Sequence, residues 1–144
     1  MSKDYRGDVS PGECWSALAE KPDALLVDVR STAEWAYVGL PMLSSLGKTP
    51  LLVEWQSFPS MAVDPAFAEK IADQVKKAGG TPVSPIFFLC RSGVRSIAGA
   101  VALTAHGFEN CFNVLGGFEG PPDTEGHRGR KAGWKAEGLP WAQN

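Results

Sequence analysis

Cys90 stands between a short aliphatic run and a loop that carries Arg91, Ser92, Gly93, Val94, Arg95 and Ser96. Two arginines within five residues of a thiol are two fixed positive charges that favour thiolate, lowering its pKa from a free value of about 8.5. Gly93 lets the backbone turn inward, so that successive N–H groups can form a nest around an anion. A thiolate held in this way is a nucleophile suited to covalent catalysis. The plainer alternative, a core thiol at a strand end, needs no arginines. Cys14 and Cys111 have no such charged company and read as structural thiols. Three cysteines without metal-ligand spacing and without a Cys-x-x-Cys pair predict neither a zinc site nor a disulfide framework.

The nucleophile needs elements that hold it. Residues 86–89 (IFFL) read as a strand running directly into Cys90, and the helix after the loop carries Val94, Ile97, Val101 and Ala105 along one face, ending before Gly107. A thiol at that junction sees the positive end of the helix dipole. Residues 25–29 (LLVDV) and 111–115 suit strands buried on both faces, and residues 51–55 form a further short run. Ser10, Pro11 and Glu13 open a first helix with a capping box, and Pro22 marks its end. Asp64 and Pro65 start a helix in which Phe67, Ile71 and Val75 share a face, stopped by Gly79 and Gly80. The connection through Gly39, Pro41, Ser44, Ser45, Gly47 and Pro50 shows nothing clearly helical. Alternating strands and helices predict an α/β domain with a mainly parallel sheet, whose ligands gather at the carboxyl ends of the strands.

The chain of 144 residues suits one domain with its own core. Its 44% hydrophobic and 21% charged residues match an ordinary globular protein, and a net charge of -2 offers no field for nucleic acid or anionic lipid. No apolar run approaches the roughly 20 residues of a membrane helix, and the start lacks a signal-peptide core, so the expected location is the cytoplasm. The tail from Gly120 onward is rich in Gly, Pro and charge, yet Trp134, Leu139 and Trp141 predict that it packs back.

Three stretches in order, Asp28-Val29-Arg30 with Glu34-Trp35, then residues 88–96 (FLCRSGVRS), then residues 113–120 (NVLGGFEG), resemble the rhodanese-like domains, and the likeness spans nearly the whole chain. It implies a five-stranded parallel sheet flanked by helices on both faces, with a first short strand before Ser10. It also implies a sulfurtransferase in which Cys90 takes a sulfane sulfur from thiosulfate or a similar donor, releases sulfite, and passes the sulfur from a persulfide to a thiophilic acceptor. No metal or organic cofactor is implied; the expected partners are small donors and acceptors, or a protein that gives or receives sulfur. The ring of N–H groups across residues 91–96 would hold thiolate and persulfide, making Arg91, Ser92, Gly93, Val94, Arg95 and Ser96 the substrate-binding residues. Arg91 suits the donor's sulfonate, while Arg95 suits either that role or pairing with a carboxylate. Asp28, Arg30 and Glu34 read as braces of the neighbouring strand end and helical turn. The family's usual Gly-His-Ile-Pro-Gly-Ala is replaced by Gly39-Leu40-Pro41-Met42-Leu43, and the segment 44–62 is long.

Two other readings compete. A phosphatase or arsenate reductase would place five residues between cysteine and arginine, whereas four separate Cys90 from Arg95. The shorter ring favours an extra sulfur atom over a phosphoryl group. A protein-to-protein sulfur carrier with little thiosulfate turnover uses the same motif. Trp35, Trp55, Phe58 and Met61 read as loop anchors or a pocket wall, and His127 with Arg128, Arg130 and Lys131 as a solvated basic face.

Overall fold

The computed structural model describes residues 5–54, 56–57, 62–63, 67–90, 95–120, 124–127 and 132–142. Strand β1 (Gly7–Val9) is followed by helix α1 (Pro11–Glu20), β2 (Leu25–Asp28), α2 (Thr32–Tyr37), β3 (Leu40–Pro41), β4 (Leu51–Leu52), β5 (Gln56–Ser57) and β6 (Ala62–Val63). Then come α3 (Phe67–Lys77), β7 (Ile86–Leu89), α4 (Arg95–Ala105), β8 (Cys111–Val114) and β9 (Trp141–Ala142). The main sheet has five strands in the order β1-β8-β7-β2-β4, and every pairing in it is parallel. β7 is thus the central strand. β3 pairs antiparallel with β9, and β5 with β6, outside this sheet.

Strand alternation splits the core into two layers. Val27, Val29, Ile86, Phe88, Cys90 and Cys111 pack with Phe67, Ile71 and Val75 of α3 and with Ala100 and Leu103 of α4. Leu26, Phe87, Leu89 and Val114 point the other way, onto Cys14 and Leu18 of α1 and onto Phe118 and Trp134. The sheet is therefore covered on both faces, which is what its uninterrupted aliphatic strands require.

Local signals explain most boundaries. Ser10 and Glu13 form the reciprocal capping box of α1, with Glu13 N–H to Ser10 Oγ at 3.0 Å and Ser10 N–H to Glu13 Oε1 at 2.9 Å. Ser31 and Glu34 repeat the device at α2. Three expectations need correction. The stretch read as non-helical holds a 3-10 turn at Ser44–Leu46, ended by Gly47 in the left-handed region at φ 70°. In α4 the face turned to the sheet is Ser96, Gly99, Ala100 and Leu103, whereas Ile97 is exposed and Val101 half-buried. The helix is apolar nearly all round, so small residues decide its approach: a Cβ at Gly99 would lie 3.0 Å from Phe88 Cδ1. The strand expected over residues 51–55 is paired only at Leu51–Leu52, although Val53 N–H still donates to the Asp28 carbonyl at 3.1 Å. Asp64, Pro65 and Trp55 lie outside the described residues.

After β8 the chain turns through Gly116 and Gly117, and residues 132–142 return along the α1 side. Trp134 N–H donates to the Gly117 carbonyl at 2.8 Å, its indole N–H to Pro140 O at 2.8 Å, and its ring meets Trp15 edge-on at 5.9 Å. The backbone passes so close here that a Cβ on Gly120, at φ 70°, would collide with the Ala132 carbonyl. No helix among the described residues is long and apolar enough to cross a membrane.

Candidate active site

Cys90 follows the last residue of the central strand, and α4 begins five residues later. Its carbonyl accepts the Phe118 N–H at 2.7 Å, and the Leu89 carbonyl accepts the Val29 N–H at 2.9 Å, so both neighbouring strand ends fix its backbone. The thiol is 1% exposed and faces the α4 layer.

Beneath the sulfur lies a run of polar side chains. Cys90 Sγ is 3.2 Å from Ser96 Oγ, Ser96 Oγ is 2.5 Å from Asn113 Oδ1, and Asn113 Nδ2 is 3.1 Å from Asp8 Oδ1. The Tyr5 hydroxyl donates to the same Asp8 oxygen at 2.8 Å. Register explains the assembly: Asn113 is the partner of Phe88 on one side and of Asp8 on the other. Ser96 occupies the first turn of α4, on the face that the sheet covers.

On the opposite face of the sheet, Asp28 and Arg30 form a buried ion pair. Arg30 Nε donates to Asp28 Oδ1 at 2.9 Å and Nη2 to Oδ2 at 2.7 Å, with both side chains 0% exposed. Nη2 also donates to the Gly39 carbonyl at 2.7 Å, and the guanidinium lies 4.2 Å over the Phe118 ring. Because Phe118 N–H binds Cys90 O, this pair supports the site through the backbone rather than by touching the sulfur. Lys135 from the returning tail completes the cluster, its ammonium 3.9 Å over Trp141 and 5.2 Å from the Phe118 centroid. Burial holds Lys135 below the ordinary lysine value; Glu119 opposes this and Arg30 reinforces it.

The residues named from sequence fall into three groups. Cys90 and Ser96 meet; Ser96, grouped above with the substrate-binding residues, is 0% exposed and touches the Cys90 sulfur from within. Asp28 and Arg30 meet on the far side of the sheet, while Glu34 closes the α2 capping box with Ser31. Arg91, Ser92, Gly93 and Val94 lie outside the described residues, as do Phe58, Met61, Arg128, Arg130 and Lys131; Arg95 opens α4, and only its backbone is described. His127 is exposed and 3.8 Å from the exposed Glu125 carboxylate. Among the described residues no cluster of three His, Cys, Asp or Glu could hold a metal ion. Tyr5 and Asp8 carry no sequence signal that singles them out, Asp8 lying exposed in a three-residue strand, and Asn113 stands out only as a polar residue inside the otherwise apolar, largely buried β8.

The other two thiols differ in kind. Burial pushes Cys14 upward against the weaker pull of Lys48, and pushes Cys111 up to about 11 against a hydrogen bond from Thr104. Both are 0% exposed and inert by this measure.

An all-parallel five-stranded sheet, covered by helices on both faces and ending its central strand in a cysteine, is the rhodanese-like architecture. A family model described as the STR4 middle domain matches residues 7–144, and the chain belongs to this rhodanese-like family of sulfurtransferases. The crystal structure of Rv0390 from M. tuberculosis superposes with a TM-score of 0.86 at 46% identity, covering 97% of this chain and 99% of that one. The uncharacterized RP600 homolog of Rickettsia rickettsii is 36% identical over 90% of this chain and 91% of its own length. Thiosulfate sulfurtransferase GlpE of Haemophilus influenzae is 30% identical over 78% of this chain and 85% of its own.

Proposed function

We propose that the protein moves a sulfane sulfur from thiosulfate or a similar donor to a thiophilic acceptor through a persulfide on Cys90. The observation that carries this reading is the placement of Cys90 directly after the central strand and five residues before α4, its sulfur facing the α4 layer. The relation to thiosulfate sulfurtransferase GlpE supports thiosulfate as the donor class.

The Cys90 thiolate attacks the outer sulfur of thiosulfate; the bond between the two donor sulfurs breaks, sulfite departs with the electron pair, and a Cys90 persulfide anion remains. In the second half-reaction an acceptor nucleophile such as cyanide attacks the terminal sulfur, and the Cys90 thiolate leaves. Sulfite is a good leaving group, so no general acid is needed. Arg91 holds the donor sulfonate, and the backbone N–H groups of the ring stabilise both anions. The kinetics are ping-pong.

Incubation with thiosulfate followed by removal of the excess is expected to add the mass of one sulfur atom, lost on treatment with cyanide or dithiothreitol and absent in Cys90→Ser. Arg91→Ala is expected to raise the donor KM. A protein that hydrolysed an aryl phosphate and never gained sulfur would overturn the proposal in favour of phosphatase chemistry.

A further inference from the structure

The Ser96 hydroxyl has one hydrogen and two neighbours that compete for it, Cys90 Sγ at 3.2 Å and Asn113 Oδ1 at 2.5 Å. The competition is decided two residues away. Asp8, as a carboxylate, only accepts hydrogen bonds, so the end of the Asn113 amide that faces it at 3.1 Å must be the N–H₂ group. The carbonyl end of Asn113 therefore faces Ser96 and can only accept. Ser96 gives its hydrogen to Asn113, and what remains toward Cys90 is a lone pair.

We infer that Asp8 and Asn113 are positioning residues that turn Ser96 into an acceptor toward Cys90, so that this chain of hydrogen bonds favours the S–H form of the nucleophile over its thiolate. The hold is opposite in sign to the pull expected of the arginines in the loop. Loading from the S–H form then includes releasing its proton to solvent and either turning the Ser96 hydroxyl toward the sulfur or leaving its lone pair against an anion. The inference rests on reading Cys90 as the nucleophile. Among the described residues, charged or titratable groups near this end of the sheet include Tyr5, bonded to Asp8, and on the opposite face the Asp28–Arg30 pair with Lys135 of the returning tail. β2 and α3 present Val29, Phe67, Ile71 and Val75 to the same layer as Cys90, all apolar.

The test is the pH midpoint of thiolate formation, read as ultraviolet thiolate absorbance of each protein minus that of its Cys90→Ser counterpart. If Ser96 accepts from the S–H, Ser96→Ala lowers the midpoint by about half a pH unit, or ~3-fold more thiolate below it. If Ser96 donates to the thiolate, the same substitution raises it. Asn113→Leu, neutral and similar in shape, frees the hydroxyl to turn to the sulfur and lowers the midpoint by about one unit, ~10-fold, and adding Ser96→Ala cancels about half of that shift, returning the midpoint to that of Ser96→Ala alone. Asp8→Asn also removes a charge, so it is compared in both backgrounds: its effect is larger where Ser96 is present to be redirected. A rise or no change in Ser96→Ala, which leaves the strands untouched, overturns the inference even if Asn113→Leu does not fold. Sulfur loading is read separately by mass; a protein that shows these shifts and never gains sulfur refutes the sulfur-transfer reading and leaves the direction of the Ser96 hydroxyl established.

Discussion

Arg30 and Asp28 meet as a two-point ion pair with neither side chain exposed to solvent, at 2.9 Å and 2.7 Å. Removing one partner leaves a buried charge without compensation, a change that costs about 3–5 kcal/mol where it has been measured in other proteins. Arg30→Met is expected to lower the urea midpoint accordingly with an unchanged m-value. Arg30→Lys recovers little, because an ammonium cannot make the paired contact, reach the Gly39 carbonyl and lie flat on Phe118 together. A loss below about 1 kcal/mol in Arg30→Met would show that the pair is dispensable to the fold.

Trp134 ties the tail to the domain through its ring against Trp15 and its backbone N–H to Gly117, while its indole N–H braces the tail internally on Pro140. Trp134→Ala is expected to cost about 3–5 kcal/mol, the range for emptying a large buried aromatic site. Trp134→Phe keeps most of the packing against Trp15 but leaves the Pro140 carbonyl without its donor, for about 1 kcal/mol. Equal losses in the two variants would mean that the tail's internal bond to Pro140, rather than the packing of the ring, carries the stability.

The order of the main elements was legible because it rests on local signals: aliphatic runs for the buried strands, the Ser10–Glu13 box for α1, the glycines after α3. The position of Cys90 at a strand end was legible for the same reason. The buried face of α4 was not, since a helix with apolar residues on all sides has no single stripe to read, and Gly99 and Ala100 mark the contact by smallness instead. β1 is three residues long with an aspartate in the middle, so no periodicity reveals it; only the family resemblance pointed to it. The polar run from Tyr5 to Ser96 joins residues up to 105 positions apart and depends on the register of β1, β8 and β7, which is tertiary information.

The two structural thiols make stability fall in alkali. A Cys111 thiol raised to about 11 from the ordinary 9.0 stays protonated in the folded protein while the unfolded chain ionises. Its contribution is intact below about pH 9 and is lost as pH rises toward 11, at about 1.4 kcal/mol per pH unit. Cys14, pushed up by burial as well, adds a slope of the same sign. Urea midpoints measured across this range are expected to fall less steeply for Cys111→Ala than for the unaltered protein, whatever the substitution does to stability at neutral pH. Parallel slopes would mean that Cys111 titrates alike in both states.

Gly99 links the packing of α4 to the chemistry of Cys90. It lies one turn beyond Ser96 on the face that touches the sheet, and a Cβ there would stand 3.0 Å from Phe88 Cδ1, 3.4 Å from Cε1 and 3.5 Å from Val29 Cγ1. Phe88 and Val29 are both 0% exposed and packed within the core, so they have little room to give. Alanine gains about 1 kcal/mol of helix propensity over glycine, which offsets part of the crowding, and Gly99→Ala is expected to stay within about 1 kcal/mol of the original stability. Valine adds two methyl groups to the same contact and favours the helix less, so Gly99→Val is expected to cost about 1–3 kcal/mol and to lift the first turn of α4 from the sheet. That movement lengthens the 3.2 Å contact between Ser96 and Cys90. On the sulfur transfer proposed above, the rate of persulfide formation at saturating thiosulfate is expected to fall by about 10-fold or more, as misplacements of about 1 Å do elsewhere. A Gly99→Val protein that is destabilised yet loads sulfur at the original rate would separate α4 packing from the geometry of Cys90.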